Sequence, residues 1–469
     1  MILGRHLFLV LLGLVVAVGG LAAPASAATP TVLTLAAPGA YADATTTLAL
    51  DLRTSTGEPV AGAPVTVERR VAGEWRPVTA LTTDAAGHAT ASVPVSRTPQ
   101  DNAFRASYAG DTTYAPATGA IDVPVVRRAA TVRLQAPKKV VDEQEVTLAV
   151  RWATDQGTPV SGTVRLQSRD EGQRRWRRVG SLVTDAEGRA ELPVRPRVDT
   201  EWRAKVPATA WTRAATSPVR RIDNRPPRTP VTLPAGAPRP RVRLPRQERA
   251  VGEGAHVAIT AIPDGVWRRM TGRSWRAGCP VGRAGLRLVR VNYWGYDGYR
   301  YRGELVAATD AADNMAGALA EMYRRGFPIR AMHRVDRFGW SKRLQGADDY
   351  ASMAAGNTSA FNCRSVVGRP GVRSPHSYGR ALDVNTWENP YHASHGVVPN
   401  RYWVSRSHAR VAWRSRSHAV VRLMARHGLR WTYGTHDSHH FDVVGGSGRA
   451  AARISPRELH PQCDGFVCE

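Results

Sequence analysis

Alternating apolar and polar positions dominate the first half of the chain. Leu48, Leu50 and Leu52 alternate with Ala49 and Asp51 within Thr46 to Leu52; Val65 and Val67 alternate with Thr66 and Glu68 within Val65 to Arg69. Val146 to Trp152 repeats the pattern, with Leu148, Val150 and Trp152 on one side. A period of two sends successive side chains to opposite faces, so these segments predict strands with one buried face. Gly, Pro and Asp turns break them apart. The pattern also recurs as a whole: Gly57-Glu-Pro-Val60 returns as Gly157-Thr-Pro-Val160, Trp75 as Trp176, and Thr83-Asp-Ala-Ala-Gly87 as Thr184-Asp-Ala-Glu-Gly188. A repeat of about one hundred residues with this patterning predicts two antiparallel β-sandwiches, at 28–126 and 127–222. Each D-A-x-G reads as a hairpin turn in which Gly87 or Gly188 takes a positive φ. Trp75 and Trp176 read as core or cross-strand packing residues rather than ligand platforms. Neither copy holds a catalytic set.

The second half mixes periods. Gly285 to Tyr293 and Gly303 to Ala307 read as strands. Asp310 to Arg325 reads as a helix, capped by Thr309 or Asp310, with Met315, Leu319 and Met322 along one side and Gly326 as its stop. A further helix is expected from about Ser417 to His427, with Val420, Val421, Leu423 and Met424 apolar and Gly428 ending it. The region 251–469 is therefore expected to be an α+β domain. The Pro- and Arg-rich stretch 223–250 separates it from the sandwiches and is expected to be an extended, semi-rigid spacer. Asp336 to Gly356, rich in polar residues, reads as a surface loop.

The ends and the charge place the chain. Arg5, the apolar run Leu7 to Leu21, Pro24 and the small-residue site Ala25-Ser26-Ala27 together read as a secretory signal over 1–27, removed on export. The mature protein is then secreted, with no stable membrane insertion after signal removal. Four cysteines, at 279, 363, 463 and 468, suggest two disulfides in an exported chain. Three connectivities are possible; Cys463 and Cys468 enclose a short loop, which leaves Cys279 to pair with Cys363. The net charge is +26 and is carried almost wholly by arginine, with lysine only at 138, 139, 205 and 342. These charges are dispersed, with no recognition helix or aromatic-basic module, so nucleic acid is not an expected partner. Long-range attraction to anionic cell-wall polymers is the expected consequence for an exported basic chain.

The chemistry is concentrated near the C-terminus. His376 and Asp383 stand in SPHSYGRALDVN, and Asp437 and His440 in HDSHHFDVV. Two imidazoles and a carboxylate are a donor set for catalytic zinc, which takes three protein ligands and keeps a fourth position open for water. If Arg380 to Asn385 is a strand, Ala381 and Asp383 share one face while Leu382 and Val384 face the core, and His376 reaches back from the turn containing Gly379. His440 and Asp442 alternate in the same way with Phe441 and Val443. Asp437, on the approach to that strand, is placed to work on the water rather than the metal.

These residues resemble the D-alanyl-D-alanine carboxypeptidase family of zinc peptidases, whose pattern is S-x-H-x6-D followed by [DE]-x-x-H. Ser374, His376, Asp383, Asp437 and His440 fill it in order. Asn357 to Arg364 (NTSAFNCR) looks like the segment carrying the family's substrate-facing arginine, and Asn389-Pro390-Tyr391 follows Asp383 as in relatives. One departure is Trp431-Thr-Tyr-Gly-Thr-His436, where relatives usually carry a Gly-Gly-x-Trp turn; it bears on the shape of the substrate cleft. The pattern also selects within the doublet His439-His440. His440 has Asp437 at minus three and Phe441 after it, whereas His439 would have His436, a poor general base. The other histidines, at 333, 392, 395, 408, 418 and 427, read as solvated or capping residues.

The resemblance implies a hedgehog/DD-peptidase-like fold, preceded by units resembling bacterial immunoglobulin-like wall domains. It implies zinc on His376, Asp383 and His440, Asp437 as general base, Arg364 stabilising the oxyanion and Ser374 binding substrate. The implied substrates are peptidoglycan stem peptides, cut by a D-alanyl-D-alanine carboxypeptidase or a related endopeptidase. The alternatives are a cell-wall-binding or adhesion protein with a non-catalytic peptidase-like domain, and a zinc hydrolase of another substrate class, such as a peptide amidase.

Overall fold

The computed structural model describes residues 28–366, 369–444, 462–463 and 466–467. The expected signal segment and the expected Cys463–Cys468 pair lie outside the described residues. The chain divides into two units. One takes in residues up to Lys138 together with Glu145–Asp223; the other holds Lys139–Gln144 and everything from Asn224 onward.

The first unit carries the repeat as two all-β halves. In the N-terminal half, Thr31–Ala36, Thr45–Thr54 and His88–Pro94 form a three-stranded antiparallel sheet. Glu74–Thr82, Pro64–Val71, Ala103–Tyr108 and Ala117–Asp122 form a four-stranded one. The inward residues of both sheets, including Leu48, Leu50, Leu52, Val65, Val67 and Phe104, make one core. The next half repeats the pairing of Ala130–Gln135, Val146–Thr154 and Arg189–Val194 opposite strands that include Thr163–Asp170, Arg177–Val183 and Thr200–Val206. Its Trp152 is fully buried.

One local expectation is corrected, and another is narrowed to one of its alternatives. The D-A-x-G turns are not hairpins, because the strands they join belong to different sheets. Gly87 has φ +80° and Gly188 φ +72°, and each lies so close to the neighbouring strand of the sheet the chain then enters that a Cβ would meet the carbonyl oxygen of Leu52 at 2.5 Å or of Trp152 at 2.2 Å. The glycine is needed to let the chain change layers. Trp75 and Trp176 stay outside the cores. The guanidinium of Arg105 lies 4.6 Å from the Trp75 ring, and those of Arg169 and Arg203 lie 4.7 and 4.2 Å from Trp176. These are cross-strand cation–π contacts.

In the second unit, Leu286–Trp294 and Arg300–Ala308 form a long antiparallel hairpin, flanked by Ala258–Thr260 and Glu248–Arg249. Helix Ala312–Arg325 lays Ala312, Met315, Leu319 and Met322 against Val289, Val291 and Leu305, and Gly326 ends it in the left-handed conformation. Its start differs from expectation. Ala311 occupies the N-cap without a side-chain bond, and Asp310 instead pairs with Arg380. Helix Ala419–Arg426 starts at His418, whose side chain accepts from Val420 N, and adds Val420, Leu423 and Met424 to the same core. Each fully buried Leu or Phe there contributes roughly 1.5–3 kcal/mol relative to exposure.

Two stretches are more ordered than their composition suggests. Asp336 to Gly356 is not simply a surface loop: it includes helix Asp349–Ala354, and both Asp336 and Asp349 are buried in ion pairs with Arg334 and Arg364. Within the Pro- and Arg-rich stretch, Leu233 and Ala237 pack against Trp387 and Trp403, and Trp387 Nε1 donates to Pro238 O at 2.8 Å. A few apolar residues between the prolines suffice to dock that part of the spacer on the second unit. The expected Cys279–Cys363 disulfide is present, bridging a sequence separation of 84 residues. Among the described residues, no helix is long and apolar enough to cross a membrane.

Candidate metal centre

The centre is built on a three-stranded sheet in the order Ala381–Asp383, His440–Val443, Leu429–Arg430. The register sets Asp383 directly opposite His440, Leu382 opposite Phe441 and Ala381 opposite Asp442. Directly opposed residues bring their Cβ atoms within about 4.5–5.5 Å on one face. The other face sends Leu382, Val384, Phe441 and Val443 into the core, which fixes the register. A slip of one residue would turn the carboxylates into the apolar core and withdraw Phe441 from it.

His376 arrives from a short 3-10 turn, Pro375–Tyr378. Ser374 caps this turn, its Oγ accepting from His376 N at 3.4 Å. Gly379 closes it at φ +69°, and its carbonyl oxygen accepts from Ala308 N at 2.8 Å; a Cβ there would lie 2.6 Å from that nitrogen. The turn is thereby locked onto the edge of the long hairpin.

His376, Asp383 and His440 are all buried, and one ligand atom from each lies within 4.8 Å of the others. Their outward partners settle the tautomers. His376 Nδ1 lies 2.6 Å from Ala360 O, a pure acceptor, so it carries the proton and Nε2 keeps its lone pair. His440 Nε2 lies 3.0 Å from Asp442 Oδ1, so it donates and Nδ1 keeps its lone pair. Those inward nitrogens face each other at 3.3 Å, and each faces Asp383, at 3.3 Å from His376 and 3.2 Å from His440. Lone pairs and a carboxylate converging in a buried site repel one another unless a cation sits among them. The donor set of two nitrogens and one oxygen fits zinc.

Asp437 and His439 stand behind this trio. Asp437 is fully buried, and its Oδ1 lies 3.2 Å from His439 Nε2. His439 Nδ1 donates to Asn389 O at 2.6 Å, and its Nε2 is 3.9 Å from Asp383 Oδ2. The segment is clamped by two indoles, since Trp413 Nε1 and Trp431 Nε1 both donate to Ser438 O, at 2.5 and 3.0 Å. Trp431 thus has a defined role in the stretch that departs from the family pattern, and Tyr433 places its ring 5.2 Å from that of His440. Arg364 is buried and ion-paired with Asp349, while its carbonyl accepts from Ser377 Oγ at 2.9 Å and Ser374 N at 3.1 Å.

The sequence reading missed three supporting groups: Asp442 as the orienter of His440, His439 as the neighbour of Asp437, and Asp349 as the partner of Arg364. Asp442 was signalled by strand period, being two residues from His440 on the same face. Nothing in the sequence links Asp349 to Arg364. Of the histidines expected to be solvated or capping, His418 caps a helix, whereas His333 is buried and takes neither role.

No curated protein matches the chain. Among solved structures, a tetra-tandem repeat from the extending region of a large adhesion protein is 14% identical, with a TM-score of 0.30, covering 60% of this chain and 74% of that one. The D0-D1 domain of Intimin is 18% identical, with a TM-score of 0.16, covering 41% of this chain and 97% of that one. Salmonella alpha-2-macroglobulin reacted with methylamine is 12% identical, with a TM-score of 0.19, covering 56% of this chain and 18% of that one. Over residues 367–443, a stretch that contains His376, Asp383, Asp437 and His440, the chain matches the family model of D-alanyl-D-alanine carboxypeptidase.

Proposed function

We propose that this protein is an exported, cell-wall-associated zinc peptidase that hydrolyses peptide bonds in peptidoglycan stem peptides, as a D-alanyl-D-alanine carboxypeptidase or a related endopeptidase. We assign its catalytic region, 251–469, to the hedgehog/DD-peptidase-like fold, behind a signal at 1–27, sandwiches at 28–126 and 127–222, and the 223–250 segment. The observation that carries this reading is the convergence of His376 Nε2, His440 Nδ1 and the Asp383 carboxylate in a buried site within the family match.

His376, Asp383 and His440 would hold the ion. Zinc so held supplies Lewis acidity and a water that ionises near neutral pH. Asp437 takes the proton of the attacking water and returns it to the leaving amine. His439 Nε2 lies 3.2 Å from the Asp437 carboxylate and packs against it. Arg364, oriented by Asp349, supplies fixed positive charge for the oxyanion of the tetrahedral intermediate. Ser374 is the candidate for binding a substrate terminus, and its hydroxyl also orders the turn that carries His376.

Two measurements test this together: metal analysis of purified variants, and mass spectrometry of fragments released from peptidoglycan. Asp383→Ala and His440→Ala should lose both zinc and turnover. Asp437→Asn should keep zinc while turnover falls steeply, and His439→Ala should keep most of its zinc. New amino termini among the fragments would identify an endopeptidase, and release of terminal D-alanine a carboxypeptidase. A zinc-loaded wild-type protein that releases nothing from any wall peptide would overturn the enzymatic reading in favour of a wall-binding protein.

A further inference from the structure

A second polar cavity of about 430 Å³ lies in the same unit, and none of the metal-centre residues lines it. Five guanidinia face it, those of Arg269, Arg290, Arg302, Arg334 and Arg337, against the two carboxylates of Glu248 and Glu304. Glu304 is already committed, being ion-paired with Arg334 and lying 3.4 Å from Arg290. Arg334 is further held by both oxygens of Asp336, at 2.9 and 3.0 Å. Arg269, Arg302 and Arg337 have no carboxylate within salt-bridge distance among the described residues. Burial and the nearby Arg290 guanidinium push the Arg302 group down from its ordinary value, as expected where like charges are held together without compensation.

Another lining residue, His333, adds a second observation. His333 is only 2% exposed, and its Nδ1 lies 3.1 Å from Arg337 NH1. A guanidinium can only donate, so Nδ1 accepts and the ring proton sits on Nε2. That buried Nε2–H has no hydrogen-bond partner among the described residues. Burial and the guanidinia of Arg337 and Arg334 hold the imidazole at about 4, so it is neutral at pH 7 and keeps this donor available. A buried N–H left without an acceptor is costly, and buried polar groups normally find a partner.

We propose that this cavity is an anion site that takes a phosphate group, with Arg269, Arg302 and Arg337 around its oxygens and His333 Nε2–H donating to it. A tetrahedral phosphate group, singly charged as a diester and more highly charged when free, offers oxygens that accept from more than one guanidinium fork. The volume exceeds that of one phosphate and falls in the range of small-ligand sites, so the phosphate is part of a larger unit. For an exported basic chain, we commit to a phosphodiester-linked anionic polymer as its source. This proposal stands independently of the peptidase reading.

The test is isothermal titration of the purified protein with inorganic phosphate and with poly(glycerol phosphate), in about 0.15 M NaCl, where charges more than about 8 Å apart are largely screened. Arg269→Gln combined with Arg337→Gln, both at exposed positions, should weaken phosphate binding at least tenfold, since each charge-assisted hydrogen bond accounts for roughly that factor. His333→Phe should weaken it without altering net charge at pH 7. A control pair away from the cavity, Arg406→Gln with Arg422→Gln, should leave binding unchanged. Tighter binding per phosphate by the polymer, lost in the arginine variant, identifies the polymer as the source; equal affinity per phosphate identifies free phosphate and overturns that part. Unchanged binding in the arginine variant, equal loss in the control pair, or polyglutamate binding as well as poly(glycerol phosphate) would each overturn the phosphate site.

Discussion

Asp442→Ala is the most direct test of how the candidate metal centre is organised, because Asp442 meets a proposed ligand at its outer ring nitrogen. His440 Nε2 donates to Asp442 Oδ1 at 3.0 Å with both side chains almost fully buried, and Thr432 Oγ1 donates to the other carboxylate oxygen. Removing the carboxylate removes the acceptor that fixes the His440 tautomer and raises its basicity at Nδ1. Loss of such a partner typically lowers metal affinity by about 10- to 100-fold, or about 1.4–2.7 kcal/mol. Asp442→Asn can still present an oxygen to Nε2–H. The bond is then neutral, roughly half as strong, so a smaller loss is expected. The assay is competitive zinc titration against a chromophoric chelator, with circular dichroism to confirm that each variant is folded. Wild-type affinity in folded Asp442→Ala would refute the tautomer argument. A loss as complete as that of His440→Ala would mean that Asp442 is itself a ligand.

Two further predictions concern stability. Replacing Cys279 and Cys363 together with Ala opens a loop spanning 84 residues of sequence and should cost about 4–5 kcal/mol by loop-closure entropy, read as a lower urea midpoint; an unchanged midpoint would contradict this. Glu321 is held at about 2 by hydrogen bonds from Arg426 and His427, well below its ordinary 4.5, so its stabilising contribution is present above the ordinary value and fades as pH falls from about 4.5 toward about 2. The melting-temperature gap between wild type and Glu321→Gln should therefore be widest above about pH 5 and close near pH 2; a gap that does not vary with pH would show that the pair is electrostatically silent.

The sequence carried the elements whose pattern is local. Period-two alternation around Leu48, Leu50 and Leu52 marked a real strand, and the apolar spacing of Met315, Leu319 and Met322 marked a real helix ended at Gly326. The readings that needed correction depend on contacts distant in sequence. A D-A-x-G turn looks the same whether it joins two strands of one sheet or crosses between sheets; only the approach of Gly87 to Leu52 O distinguishes the cases. Asp310 has the chemistry of an N-cap, but Arg380, seventy positions away, claims it. Asp336 and Asp349 read as loop surface because charge implies exposure, and they are buried because each has a guanidinium to accompany it.

The metal centre was legible for a different reason. Two of its three proposed ligands lie on two short strands whose apolar faces, Leu382 with Val384 and Phe441 with Val443, force the opposite face to carry Asp383 and His440 side by side once the strands pair. Pattern alone therefore selects which carboxylate and which imidazole meet. What pattern cannot supply is the direction of each lone pair. The tautomers follow from Ala360 O, which is brought to His376 by a separate segment, and from Asp442. In the doublet, the same logic separates neighbours of identical chemistry. Strand pairing carries His440 toward Asp383, while His439, one residue back and just before the strand begins, is drawn to Asn389 O and Asp437. Exchanging their roles would require a one-residue slip of the strand, which would withdraw Phe441 from the core; the apolar side of the sheet thus selects the histidine on its polar side.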